Sequence, residues 1–121
     1  MEKKIIIDGK EVGFKSSASF LIKYRSYFGV DGLKELQKLG QDQGLDAVIV
    51  MQKIIWCLAK TYNKKIAPVE DWLDNFETFD LEKIYTELEP LILQSFGTTE
   101  KLDDGDSETS EQVIDTDAKN A

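Results

Sequence analysis

Residue types capable of catalysis or metal binding are scarce in this chain of 121 residues, which contains no histidine. Histidine is the commonest general base and proton shuttle in proteins and a frequent metal ligand, so its absence removes the usual routes to such chemistry. Cys57 is the single cysteine and lies between Trp56 and Leu58, where apolar surroundings would raise the pKa of the thiol. We therefore interpret Cys57 as a small buried core residue, and no intramolecular disulfide can form.

Two arrangements of acidic residues could support chemistry, and neither is convincing. Asp71 and Asp74 have an i, i+3 spacing that puts both on one helix face, but this spacing is common on solvated surfaces. A calcium loop centred on Gly105 would place Leu102 where an oxygen ligand is required. No glycine-rich phosphate loop or nucleophile motif occurs in the chain. We expect no enzymatic activity, no metal site and no cofactor.

The densest mixture of acids and aromatic residues extends from Val69 to Ile84. Its first apolar residues follow the i, i+3, i+4, i+7 spacing of one helix face: Val69, Trp72, Leu73 and Phe76. Asp80 is suited to cap a further helix, with Phe79 packing on Ile84 as a hydrophobic staple. The pattern predicts that the aromatic residues are core and that the acids face solvent, so this stretch is interpreted as structural.

The residues before Ser16 predict a β-hairpin. The apolar run of Ile5 to Ile7 suits a first strand, and residues 11–15 alternate polar and apolar side chains as a second strand would. Asp8-Gly9 between them is a favoured two-residue turn. An isolated hairpin is marginally stable, so one face must pack on the rest of the domain.

Two helices are predicted after the hairpin. Ser16 or Ser17 would cap the first helix and Gly29 would end it. Its core face would carry five apolar residues: Phe20, Leu21, Tyr24, Tyr27 and Phe28. Asp31 would cap the second helix and Gly40 would end it, with three leucines on one side: Leu33, Leu36 and Leu39.

The segment from Leu45 to Tyr62 predicts the longest helix, and its apolar residues point in nearly every direction around the axis. Asp46, Lys53 and Lys60 share its one narrow polar stripe. Such a helix is either central to a bundle or covered in part by a partner, because a small domain has few elements with which to surround it. The central position is favoured, and the partner interpretation stays open.

A last helix is predicted from Leu81 to Phe96, with a kink at Pro90. After Gly97, residues 98–121 contain eight acids, two lysines and no aromatic residue, a composition that predicts disorder. The predicted fold is therefore mainly α (α+β). A helical domain at residues 1–97, with an N-terminal β-hairpin packed on a bundle of about five helices, would precede a disordered acidic tail at residues 98–121.

The net charge of −8 is unevenly distributed. Residues 98–121 carry −6 and residues 41–97 carry −5, whereas residues 1–40 carry +3. The basic residues of the first third are interleaved with Phe14, Tyr24 and Tyr27, as in a nucleic-acid surface, but most of the chain would repel phosphate. No apolar run approaches the ~20 residues of a membrane span or the core of a signal peptide. We expect neither nucleic acid nor membrane as a partner, and a cytoplasmic location.

Three segments of the chain carry a likeness to a known family. They are DGKEVGFKSSASFLIKYRSYFGVD near the start, IIWCLAKTYNKKI in the middle and VEDWLDNFETFDLEKIYTELEPLILQSFGTT at the end of the predicted domain. Together they resemble the tail assembly chaperones of long, flexible-tailed phages and prophages of Gram-positive bacteria. The shared order is a hairpin, an aromatic-faced helix, a long apolar helix and a Trp-Leu-Phe-Phe segment before the last helix. These motifs contain no catalytic residue.

The resemblance implies a small acidic protein that is made in the infected host cell and is absent from the finished virion. Members of the family coat the tape-measure protein, a very long, apolar-rich helical chain that fixes tail length, until tail-tube subunits displace them. Many members are also made in a longer form by a programmed frameshift. The implied partners are therefore the tape-measure protein, the tail-tube protein and that longer form.

Self-association is a separate expectation, which comes from the residues alone. The long helix has more apolar surface than a small domain covers easily, so copies of the chain are expected to cover it for one another. The residues alone do not identify the partner-binding surface.

Two other functions also fit the composition. An acidic phage protein could inhibit a host DNA-binding protein by presenting carboxylates as a phosphate mimic. A helical scaffold or connector subunit would instead be incorporated into particles. The chaperone predicts binding through apolar faces, whereas the mimic predicts binding through clustered acids.

Overall fold

The computed structural model describes residues 1–41 and 44–97. Two strands and six helices follow in chain order: β1 Glu2–Ile7, β2 Lys10–Lys15, α1 Phe20–Phe28, α2 Gly32–Leu39, α3 Leu45–Tyr62, α4 Val69–Leu73, α5 Leu81–Glu87 and α6 Glu89–Ser95. The predicted fold class, a mainly helical domain with an N-terminal hairpin, is confirmed. The predicted disordered tail, residues 98–121, lies outside the described residues.

The strands β1 and β2 form an antiparallel hairpin with the predicted turn. Asp8 and Gly9 have φ values of 52° and 76°, and this mirror-image turn matches the twist of the flanking strands. Asp8 also fastens the turn to the rest of the domain, since its carboxylate accepts hydrogen bonds from the Glu77 backbone and the Thr78 hydroxyl. Three apolar side chains of the inner face are buried: Ile5, Ile7 and Phe14. The hairpin therefore packs one face on the helices, as an isolated hairpin requires.

The helix α3 is the central element and contacts β2, α1, α2, α4 and α5. Six consecutive residues of its second half are buried, from Ile54 to Ala59, and consecutive helical residues point in all directions. The structure therefore supports the central position for this half of the helix. At the other end Leu45 and Ile49 are 72% and 41% exposed, so this end has apolar surface that the described domain leaves open.

A buried carboxylate joins the first three helices. Glu35 of α2 is 6% exposed and accepts hydrogen bonds from the Tyr24 hydroxyl of α1 (2.9 Å) and Lys53 Nζ of α3 (2.8 Å). Burial acts to raise the pKa of the Glu35 carboxyl, but the hydrogen bonds from Lys53 and Tyr24 and the nearby positive charges lower it below its usual value. The Lys53 ammonium also lies 5.0 Å from the centre of the Phe28 ring. The predicted polar stripe of α3 is thus partly internal, because Lys53 serves as an ion-pair partner in the interface between helices.

The start of α1 differs from the prediction. Ser19 is the N-cap residue, and its side chain makes no capping hydrogen bond, so the prediction of Ser16 or Ser17 as the cap is wrong. Ser16 is buried and its hydroxyl bonds Gln94 Oε1 of α6 (2.5 Å), while the Ser17 N–H donates to Ser95 Oγ (3.3 Å). These serines join the end of the hairpin to the last helix, a long-range use that local capping rules do not reveal.

The predicted last helix is divided in two. The helix α5 ends at Glu87 and α6 begins at Glu89, with the fully buried Leu88 between them. Pro90 lies in the first turn of α6, where its missing N–H would have no partner in any case. The break therefore precedes the proline, and the expected kink at Pro90 is instead a junction at Leu88. Asp80 caps α5 as predicted, by accepting from the Lys83 N–H.

Candidate functional site

The residues singled out for chemistry do not assemble into a reactive site in the described part of the chain. Cys57 is fully buried, and burial raises the pKa of its thiol to about 12, so the reactive thiolate is not populated at neutral pH. Asp71 and Asp74 are both exposed. Within residues 1–41 and 44–97 no group of three or more acidic or cysteine side chains is placed to hold a metal ion. The calcium loop centred on Gly105 lies outside the described residues.

The aromatic residues among the N-terminal lysines do not form a stacking surface for bases. Phe14 and Tyr24 are fully buried in the core. Tyr27 is partly exposed, but its ring packs edge-on against Trp56 with the ring centres 5.0 Å apart. Nucleic-acid bases stack on exposed aromatic faces, so the interleaving in sequence does not produce such a platform.

The stretch from Val69 to Ile84 packs its aromatic residues against one another, as its periodicity predicts. Trp72 is buried, and its ring lies 5.1 Å from Phe76 and 6.0 Å from Phe79, measured between ring centres. Six acids of this stretch are exposed: Glu70, Asp71, Asp74, Glu77, Asp80 and Glu82. The aromatic residues thus pack together while the acids face solvent. The staple between Phe79 and Ile84 stays a prediction.

A groove with a volume of about 460 Å³ lies beside β2, between that strand, the end of α3 and the segment that contains α4. We call it the β2 groove and define it by its lining residues: Lys10, Glu11, Val12, Gly13, Ala59, Tyr62, Asn63, Ile66, Trp72, Asn75 and Phe76. Its lining combines aromatic rings, aliphatic side chains and two amides, the mixture typical of recognition sites. Glu11 is its one carboxylate, and it contains no thiol. The groove therefore offers aromatic and aliphatic surface together with a few polar groups.

One wall of the β2 groove is the open edge of the hairpin. Ile7 and Lys10 flank the turn and form a hydrogen-bonded pair. Hydrogen-bonded and non-hydrogen-bonded pairs alternate along an antiparallel ladder, so the backbone N–H and C=O groups of Glu11 and Gly13 point away from β1. The sheet has only these two strands, and no residue of the described chain hydrogen-bonds the outward N–H and C=O groups of Glu11 or Gly13. The groove thus presents main-chain donors and acceptors beside an apolar floor.

Gly13 allows the aromatic ring of Tyr62 to approach this wall. A Cβ atom at position 13 would lie 2.3 Å from Cε2 of the Tyr62 ring, far inside van der Waals contact. A glycine inside a strand often marks the close approach of another group. The sequence contained this signal, a glycine in an alternating strand, but did not identify Tyr62 as the group that it admits.

Charged side chains border the β2 groove. Lys10 Nζ lies 2.5 Å from the Asn75 carbonyl oxygen, to which it donates, and Lys60 Nζ donates to the Ile66 carbonyl oxygen at 2.9 Å. Lys64 and Lys65 are exposed and stand in sequence between two lining residues, Asn63 and Ile66. Three exposed acids, Asp71, Asp74 and Glu77, likewise stand in sequence beside lining residues, and Asp8 lies 4.0 Å from Lys10 Nζ. The rim therefore carries charges of both signs.

A second candidate surface is the α3 apolar end, which we define as Leu45 and Ile49. The two residues are one helical turn apart and share a face. Large apolar side chains are also exposed elsewhere on the described chain: Met1, Ile6, Ile22, Tyr27, Val30, Leu33 and Tyr62. Single exposed apolar residues are ordinary, but an adjacent pair on a helix whose second half is core offers a helix-packing surface.

Comparisons with known proteins identify no relative. No family model, no curated protein and no solved structure matches the chain. Among the described helices, none is both long enough and apolar enough to cross a membrane. Function is therefore inferred from the surfaces of the chain and from the likeness of its sequence motifs.

Proposed function

We propose that the chain is a tail assembly chaperone, a non-catalytic binding protein of the bacterial host cytoplasm that coats the tape-measure protein and keeps it soluble until the tail tube polymerises. The likeness of three sequence segments to that family suggests the client. The observation that carries the proposal is the α3 apolar end, where Leu45 and Ile49 continue the core helix out into solvent.

A chaperone that holds an apolar chain needs two physical properties. It needs exposed apolar surface for the client, and Leu45 and Ile49 supply an apolar helix face. It also needs a net charge that keeps the complex soluble, and the chain carries −8. A helical client would lay one apolar stripe against α3, in the manner of two packed helices. The same surface would serve the expected self-association.

Co-expression with the client tests the proposal. The client is pulled down with the chain over a salt series, because burial of apolar area persists in salt whereas contacts between charges are screened. We expect the client to stay soluble and bound at high salt. Binding that disappears at moderate salt, or that requires the acids from Asp103 to Asp117, would contradict the chaperone and favour a phosphate mimic.

Substitutions locate the binding surface. The double variant Leu45→Asp with Ile49→Asp should release the client, because it puts two charges into the apolar contact. Ile22→Asp is the control, since Ile22 is an equally apolar and 74% exposed residue on another helix, α1. Equal losses for both variants, or no loss for the double variant, would exclude the α3 apolar end as the client surface.

A further inference from the structure

The two edges of the hairpin differ in access. On β2 the Tyr62 ring packs against Gly13, where it obstructs an approaching strand. On β1 the alternation of hydrogen-bonded pairs turns the backbone N–H and C=O groups of Lys4 and Ile6 away from β2. No residue of the described chain hydrogen-bonds these outward groups, and both side chains are exposed. The edge of β1 is therefore a template for a further strand.

An acidic cavity of about 150 Å³ lies beside this edge, between the second half of β1 and α5. Its lining contains four charged residues, three acids and one lysine: Asp8, Asp80, Glu87 and Lys83. Four further charged residues adjoin the lining, two of each sign: Glu77, Glu82, Lys4 and Lys10. These four cancel one another, so the excess of two acids remains and the cavity attracts a cation.

A second copy of β1 fits the edge in one antiparallel register. A two-fold axis at Ile5 sets Lys4 of each copy opposite the partner's Ile6, and these two pairs form four main-chain hydrogen bonds. An axis at Lys4 would instead put two like charges directly opposite each other, which is destabilising. An axis at Ile6 would pair Lys4 with Asp8, which belongs to the turn and has a φ of 52°.

This register also covers an exposed apolar residue and fills the acidic cavity. Ile6 is 66% exposed, and the aliphatic stem of the partner's Lys4 would lie across it. Lys3 is on the same face of β1 as Ile7, and the register sets it opposite the partner's Ile7, which lines the cavity. Lys3 and Glu87 each make no ion pair within the described chain. Strands in a sheet are only about 4.8 Å apart, so the Lys3 side chain can reach the partner's Glu87.

We propose that two copies of the chain pair through their β1 edges into a four-stranded antiparallel sheet, with Lys3 of each copy bound in the acidic cavity of the other. Four main-chain hydrogen bonds and two ion pairs make a small interface, so the dimer should be weak and form at high protein concentration. The contact lies apart from the α3 apolar end and does not depend on the proposed function.

Amide hydrogen exchange of the full chain, measured by NMR over a series of protein concentrations, tests this pairing. Exchange at the Lys4 and Ile6 amides should slow as the concentration rises, by about tenfold when nine-tenths of the chains are paired. The Glu11 amide is the internal control, because it lies on the other edge of the same hairpin and its exchange should not change.

Charge reversals test the occupant of the cavity. Lys3→Glu should weaken the dimer by about tenfold in sedimentation equilibrium, since the contact occurs twice in each dimer. Glu87→Lys should weaken it to a similar degree, and the double variant should recover affinity because opposite charges again face each other. Lys64→Glu is the matched control, with the same change of charge at an exposed residue between α3 and α4.

Three outcomes would overturn the proposal. Exchange at Lys4 and Ile6 that is independent of protein concentration would show that no second copy covers the edge. Equal effects of Lys3→Glu and Lys64→Glu would show that net charge, and not the cavity, controls association. A dimer that is abolished by Leu45→Asp with Ile49→Asp but not by Lys3→Glu would assign self-association to the α3 apolar end.

Discussion

Replacing Lys53 by methionine should destabilise the domain by leaving a carboxylate buried without its main partner. Lys53→Met keeps an apolar side chain of similar length but removes the ammonium, which bonds Glu35 at 2.8 Å and lies 5.0 Å from the centre of the Phe28 ring. Removing one partner of a fully buried ion pair costs about 3–5 kcal/mol. The Lys53 side chain is 19% exposed and Lys38 remains 3.6 Å from Glu35, so we expect about 2–3 kcal/mol.

The pH dependence gives this prediction a sharper test. The folded-state pKa of Glu35 is lowered, so its contribution to stability is present above the unfolded-state pKa and is lost as pH falls through the folded-state pKa. The Lys53→Met variant already lacks that contribution at neutral pH, before any acid is added. The difference in unfolding free energy between the natural chain and the variant should therefore be largest near neutral pH and shrink below about pH 4.

Urea unfolding at pH 7 and over an acid series measures both effects. Lys34→Met is the control, since Lys34 is exposed on α2, the helix that carries Glu35, and its replacement should change stability by less than about 0.5 kcal/mol. Adding Glu35→Gln to Lys53→Met should recover part of the loss, because it removes the uncompensated charge. A cost below about 0.5 kcal/mol for Lys53→Met, or a cost that is independent of pH, would refute the role assigned to this ion pair.

Two further substitutions test the packing. Gly13→Ala should displace the Tyr62 ring and cost about 1–3 kcal/mol in thermal or urea unfolding, and a cost that remains as large in a Tyr62→Ala background would show that the ring is not the obstacle. Trp56→Ala should cost about 3–5 kcal/mol, because Trp56 is buried and also donates its indole N–H to the Ala67 carbonyl. If Trp56→Ala instead left stability intact and abolished self-association in sedimentation, Trp56 would belong to an interface between copies.

The features that the sequence predicted well are those set by neighbouring residues. The turn at Asp8-Gly9 and the bounds of α3 depend on local conformational preference and on side-chain periodicity, and both match the structure. The cap of α1 could not be found in this way, because the Ser16 hydroxyl bonds Gln94 of the distant helix α6, while the Ser17 hydroxyl accepts from the Ser19 N–H before the helix begins. Capping preferences consider only neighbouring residues, so they could not identify Gln94 as the partner of Ser16.

The candidate site required the same kind of long-range information. Gly13 and Tyr62 each had an ordinary local interpretation, and only the fold brings them together in the β2 groove. The pairing of Lys53 with Glu35 was also hidden, since periodicity marked Lys53 as one member of a polar stripe on α3. Periodicity identifies which face of a helix is polar but not whether that face meets solvent or a buried carboxylate.

The attachment of the hairpin to α6 also has a consequence for how the domain opens. Ser16 bonds Met1 through its backbone N–H and Gln94 through its hydroxyl, so a single residue holds both termini of the described domain. Neither terminus can fray without loosening the other, although free chain ends usually open independently and at low free energy. The first strand and the last helix should therefore behave as one cooperative unfolding unit, composed of the two most distant parts of the described sequence.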